Sequence, residues 1–149
     1  MNVVVVNGPN MNMLGKREPE LYGRKTLADI EKEMARLAGP LGIAISFFQS
    51  NIEGELVTAL QEAGMTADGV ILNGAAYTHT SVAIRDAVAA IGIPVVEVHL
   101  TNPQARDEFR RISLLADVCA GSISGFGADS YALALLYFER RKRRSEESE

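Results

Sequence analysis

The 149-residue chain is 47% hydrophobic and 23% charged, the balance of one globular domain, and its longest apolar runs, such as Val3–Val6, fall far short of the roughly 20 residues that cross a bilayer. Its single cysteine, Cys119, makes no internal disulfide, and one thiol with two histidines gives no structural zinc spacing, so a cytoplasmic, metal-free protein without signal peptide or membrane span is expected. Fifteen basic and nineteen acidic residues leave a net charge of −4; with the last ten residues set aside the body carries −6, which argues against general nucleic-acid binding.

In chain order, short apolar runs alternate with helix-like ones, and no repeat or linker interrupts them. Val3–Val6 reads as a buried strand and Ile43–Phe48 as a second. Between them Thr26 heads a Thr-x-x-Asp capping pattern, and Leu27, Ile30, Met34, Leu37 and Leu41 recur at helical spacing. Gly69–Leu72, Pro94–Val98 and Ala120–Ser124 read as further strands. Helices are expected at Glu53–Ala63, Ser81–Ile91, Gln104–Leu115 and Ala128–Arg141. Five β/α units suggest an α/β fold with a doubly wound, flavodoxin-like five-stranded parallel sheet. Residues 1–139 form the expected single domain. Residues 140–149, a basic run followed by an acidic one, are expected to end the last helix and fray.

Ligands of such sheets sit beyond the carboxyl ends of the strands. Those ends carry Asn7-Gly8-Pro9-Asn10, Gln49-Ser50-Asn51, Asn73 with His79, and His99-Leu100-Thr101-Asn102, so both histidines fall on one edge. Glu97 and His99 are two apart and share a strand face, opposite Val96, Val98 and Leu100. A carboxylate beside an imidazole fixes its tautomer and suits it to act as a general acid; a buried pair that merely anchors the strand end is the alternative. Thr101-Asn102-Pro103 resembles a helix start whose free N–H groups, with Arg106 and Arg110, suit a carboxylate, or else an ordinary cap beside solvated arginines. The polar segment 14–25 is long enough to be a lid. Its Tyr22 lies among Lys16, Arg17, Arg24 and Lys25, and such cations favour the phenolate, the form that acts as a base; a surface tyrosine on a mobile loop fits as well. Dinucleotide, phosphoacceptor and Schiff-base chemistries find no matching loop, acidic strand ends or buried lysine.

The stretches Asn7–Gly15, Arg17-Glu18-Pro19, Tyr22-Gly23, Gln49-Ser50-Asn51, Glu53-Gly54-Glu55, Tyr77–Ser81, Arg85-Asp86, Glu97-Val98-His99 and Ala105–Arg110, in this order, resemble the type II 3-dehydroquinate dehydratases over about residues 2–139. The resemblance implies a cofactor-free lyase that converts 3-dehydroquinate to 3-dehydroshikimate by acid/base elimination through an enolate, in the shikimate pathway or in quinate breakdown. It further implies a homododecamer built from trimers. By motif position Tyr22 is the base, Arg17 supports it on a closing lid, Asn10 holds the developing enolate and Asn73 positions a water. His99, oriented by Glu97, protonates the leaving hydroxyl. His79, Arg110, Thr101 and the N–H groups of Leu100 and Thr101 bind substrate oxygens, chiefly the carboxylate, and Asp86 reaches toward a neighbouring subunit's site. A non-catalytic relative that binds a small polyhydroxy carboxylate is the competing possibility; the joint presence of Tyr22, Arg17 and His99 favours catalysis.

The chain also departs from the common pattern. Asn73-Gly74-Ala75-Ala76 stands where the family often has Asn-Pro-Gly-Ala or Asn-Ala-Gly-Gly, so a positive φ at Ala75 would strain the loop that carries His79. Thr101 replaces a frequent serine and keeps its hydroxyl. Pro103-Gln104 and Ile112–Asp117 replace an apolar-His pair and a more aromatic stretch, changes that bear on subunit packing more than on chemistry.

Overall fold

Side chains alternate along the first strand and so divide the interior in two. In β1 (Asn2–Asn7), Val3 and Val5 enter one apolar cluster and Val6 the other, each 1% exposed or less. The computed structural model describes residues 1–149. It pairs β1 in parallel with β2 (Ala44–Gln49) and with β3 (Gly69–Asn73), and β4 (Val95–His99) and β5 (Gly121–Ser124) complete an all-parallel sheet ordered β2-β1-β3-β4-β5. The strand order reverses between β1 and β3, as expected for the flavodoxin-like arrangement.

Helices cover both faces. α2 (Leu27–Ala38) and α5 (Asp129–Glu147) bury Ile30, Met34, Leu135 and Phe138 on the Val3 side. α3 (Glu53–Thr66) and α4 (Val82–Ala90) bury Leu56, Leu60, Ile84 and Val88 on the Val6 side. Each of these large side chains contributes about 1.5–3 kcal/mol by leaving water. α2 begins where the capping pattern predicts: Thr26 Oγ1 accepts from Asp29 N–H, and the Asp29 carboxylate accepts from Thr26 N–H.

Two expectations fail. Residues 104–115 form no α-helix, only single 3₁₀ turns at Pro103–Ala105 and Glu108–Arg110 followed by irregular chain. Here the backbone is satisfied by tertiary partners instead of a helical ladder: Leu114 N–H donates to Thr78 O, Arg85 donates to Leu114 O, and Ser113 Oγ accepts from the N–H groups of Leu115 and Ala116. Phe109 and Ile112, which a helix would have to bury, are 65% and 70% exposed. The charged end does not fray at residue 140 either. α5 continues to Glu147, tied by Glu139–Arg143 and Lys142–Glu146 pairs one turn apart and by Lys142 Nζ donating to Gly42 O at 3.3 Å.

The long segment after β1 contains a 3₁₀ turn at Met11–Met13 and one turn of helix, α1 (Pro19–Tyr22). Its neck closes at Gly15, whose φ is 84° and where a Cβ would lie 2.9 Å from Arg24 O. Residues 16–23 therefore project as a loop with adjoining ends, the shape of a lid.

Candidate active site

The loops after β1 and β3 approach closely. Gly8 N–H donates to Asn73 O at 2.8 Å, and a Cβ on Gly8 would sit 2.5 Å from Gly74 O, so only glycine fits. Beyond this contact the chain turns outward through Asn10, whose φ of 66° is held by its N–H donating to Asn51 Oδ1 at 2.9 Å. The Gln49-Ser50-Asn51 stretch is thus a brace: Gln49 Nε2 donates to Gly8 O, and Tyr77 OH donates to Asn51 O.

The resulting cleft encloses about 740 Å3 including its mouth. Of the residues singled out in the sequence, Asn10, Arg17, Tyr22, Asn73, His79, His99, Leu100, Thr101 and Arg110 all line it, and Arg106 joins them. Glu97 lies behind His99 rather than in the cleft. Asp86 is exposed on α4 and does not line its own chain's cleft. Three arginines and two histidines face the space and no carboxylate does, a lining that favours an anionic ligand.

Tyr22 comes from the one-turn helix of the lid, and its ring lies 5.7 Å from the Arg17 guanidinium carbon and 5.4 Å from that of Arg106. Both guanidiniums lie within reach of the ring's electron-rich face, which attracts a cation. Arg106 is contributed by the turn after β4, so Tyr22 is contacted both from its own loop and from the site's far rim.

His99 ends β4, and its Nε2 is 3.3 Å from Glu97 Oε2. The Glu97 side chain is 2% exposed. Ser113 Oγ donates to Oε2 at 2.5 Å and Ser122 Oγ to Oε1 at 2.7 Å. Burial alone pushes this carboxyl up, but the donors from His99, Ser113 and Ser122 outweigh it and hold Glu97 below its ordinary range. The pair is therefore a carboxylate holding an imidazole.

On the other face, Asn73 Nδ2 donates to Tyr131 OH at 3.0 Å, and Tyr131 OH donates to Asn7 Oδ1 at 2.5 Å. Complete burial pushes the Tyr131 phenol up, so it stays neutral and fixes which way the Asn73 amide points. Sequence reasoning missed Tyr131, Ser113 and Ser122. Ser122 is found only through strand pairing, since it stands opposite Glu97 in the β4–β5 register.

A cleft lined by arginines and histidines at the switch point of a doubly wound sheet, where a tyrosine of the segment after β1 and a carboxylate-held histidine share one space, defines an α/β protein with acid/base groups at its strand ends. The comparisons with known proteins narrow this class. The chain belongs to the class II dehydroquinase family, whose sequence profile matches residues 1–139. It is 54% identical over 136 residues to the 3-dehydroquinate dehydratase of Campylobacter hominis, covering 91% of this chain and 88% of that one, and 52% identical to that of Bacillus licheniformis, covering 92% and 94%. Among solved structures, the type II dehydroquinase of Butyrivibrio crossotus superposes with a TM-score of 0.89 at 40% identity, covering 91% of this chain and 94% of that one. The Propionibacterium acnes type II dehydroquinase gives 0.91 at 34%, covering 93% and 96%.

Proposed function

We propose that this chain is a 3-dehydroquinate dehydratase, a lyase of the shikimate pathway that removes water from 3-dehydroquinate to give 3-dehydroshikimate. The observation that carries the proposal is a lid tyrosine flanked by two guanidiniums in the same carboxylate-free cleft as a histidine backed by a buried carboxylate.

Tyr22, as phenolate between Arg17 and Arg106, takes the proton on the carbon beside the substrate ketone. The C–H pair moves into an enolate, whose oxygen is met by Asn10 and by a water held on Asn73. His99, its other face held by Glu97, gives a proton to the departing hydroxyl as the carbon–oxygen bond breaks, and water leaves. The N–H groups of Leu100 and Thr101 and the Thr101 hydroxyl take the substrate carboxylate; His79 and Arg110 take the remaining oxygens. No metal or cofactor enters this scheme, and the same reaction serves quinate breakdown.

Asp86, outside its own cleft, is assigned to a neighbouring subunit's site, in a trimer-based homododecamer. Residues 1–139 are the catalytic domain, and a cytoplasmic location accompanies the proposal; no helix is long and apolar enough to cross a membrane. The test is direct: purified protein is incubated with 3-dehydroquinate and the ultraviolet absorbance of the conjugated enone product is followed. Absence of signal from folded protein between about pH 6 and 10 would sink the proposal.

A further inference from the structure

The irregular chain after the cleft's arginines does more than cover the sheet. Three consecutive residues contact one cleft histidine directly and the carboxylate that holds the other. Ile112 O is 2.8 Å from His79 Nδ1, and since a carbonyl only accepts, Nδ1 carries a proton, which in the neutral ring leaves Nε2 as the acceptor. Ser113 Oγ donates to the Glu97 oxygen that faces His99 Nε2. Leu114 N–H donates to Thr78 O, next to His79, at 2.9 Å. The far end of the segment is anchored to α4: Arg85 donates to Leu114 O at 2.7 Å and grips the Asp117 carboxylate with two nitrogens.

We propose that residues 112–114 form a splint that sets the tautomers of both cleft histidines at once, with Ser113 as its positioning residue and the Arg85–Asp117 pair as its anchor. The inference rests on the dehydratase reading for its kinetic consequences only. A shared splint explains why this stretch forgoes helix: its backbone and hydroxyl groups are committed to two strand-end loops.

The titratable groups facing Glu97 are His99 on its own strand and the Cys119 thiol on the approach to β5. Burial, with the Glu97 and Asp117 carboxylates, pushes that thiol up to about 12, so it is uncharged at neutral pH. Leu72 of β3 and Ser122 of β5 flank Glu97 in register without charge, and Arg85 and Asp117 neutralise each other at the anchor. Removing the Ser113 hydroxyl therefore acts on the Glu97 carboxylate and, through it, on His99.

The experiment compares wild type with Ser113→Ala, Ser113→Thr and Ser122→Ala, all checked for folding by circular dichroism. Substrate-free nitrogen-15 spectra of the histidine rings report tautomers, and kcat and KM for 3-dehydroquinate are measured across pH. Ser113→Ala is expected to lose the single His99 tautomer, to drop kcat about tenfold or more with KM within about twofold, and to move the alkaline limb of kcat, set by His99 as proton donor, up by about one pH unit. Ser113→Thr, which keeps a hydroxyl, restores most of each. If Ser113→Ala does not fold, Asp117→Asn, which loosens the anchor outside the cleft, takes its place and must move the alkaline limb the same way, whereas Ser122→Ala removes a Glu97 donor that lies outside the splint. A wild-type His99 tautomer and alkaline limb in the folded variant overturn the splint. A wild type inactive on 3-dehydroquinate removes the proposed function, while the ring spectra still decide the splint.

Discussion

Asn73 and Ala75 meet in a tight turn: Asn73 Oδ1 accepts the Ala75 N–H at 3.0 Å, and Ala75 adopts a φ of 50°. The buried amide has thus two duties, one oxygen holding a left-handed alanine and one nitrogen donating to Tyr131. A left-handed conformation costs an alanine about 1–2 kcal/mol. The hydrogen bond sustains it, because the loop must turn there to bring His79 to the cleft.

Ala75→Gly is expected to stabilise the protein by about 0.5–1 kcal/mol, the relieved strain being partly offset by the freer unfolded chain and the lost methyl contact. Urea denaturation checks this. An unchanged or lower midpoint would mean that the turn is unstrained.

Glu97 makes stability depend on acid in a definite direction. Its folded carboxyl lies below its ordinary value of 4.5, so below that value the unfolded chain takes up the proton first. The associated stability is present in full above the ordinary value and is lost as pH falls through the folded one. In Glu97→Gln this contribution vanishes. The wild-type advantage over the mutant, followed by urea denaturation from about pH 7 downward, should shrink through that window; two parallel curves would refute the assignment.

The dehydration proposed for Tyr22 and His99 calls for neither metal nor imine, and no lysine lines the cleft. Activity should survive extensive treatment with a chelator, and also borohydride added with substrate. Loss under either condition would contradict the scheme.

Asp86 is exposed on α4 and does not line its own chain's cleft. Light scattering is expected to return a trimer-based particle, and Asp86→Ala should lower kcat/KM about tenfold or more without unfolding the subunit. A fully active monomer would contradict both the assembly and the shared site.

Much of this was legible from residue order, for identifiable reasons. β1, β3 and β4 declare themselves as short apolar runs, and the α2 start follows from Thr26 and Asp29 alone. The cleft's lining was legible because strand ends in a parallel sheet share one edge. What stayed hidden depends on contacts between distant segments. Ser113 reaches Glu97 only because its segment abandons the helix that Gln104–Leu115 suggests, and Tyr131 joins Asn7 to Asn73 only once α5 packs beneath both loops. Charge pattern misled at the C-terminus, where ion pairs one turn apart extend α5 to Glu147.

The most direct measurement of the central claim is the single-turnover rate on 3-dehydroquinate for wild type and Tyr22→Phe from matched preparations, with the affinity of a non-reacting product analogue measured on both. Tyr22→Phe removes one hydroxyl from a ring already held between Arg17 and Arg106. The chemical step should fall by ~10²–10⁴-fold while the analogue still binds. Chemistry at near the wild-type rate in the mutant would take Tyr22 out of the mechanism and leave the lid as a substrate clamp.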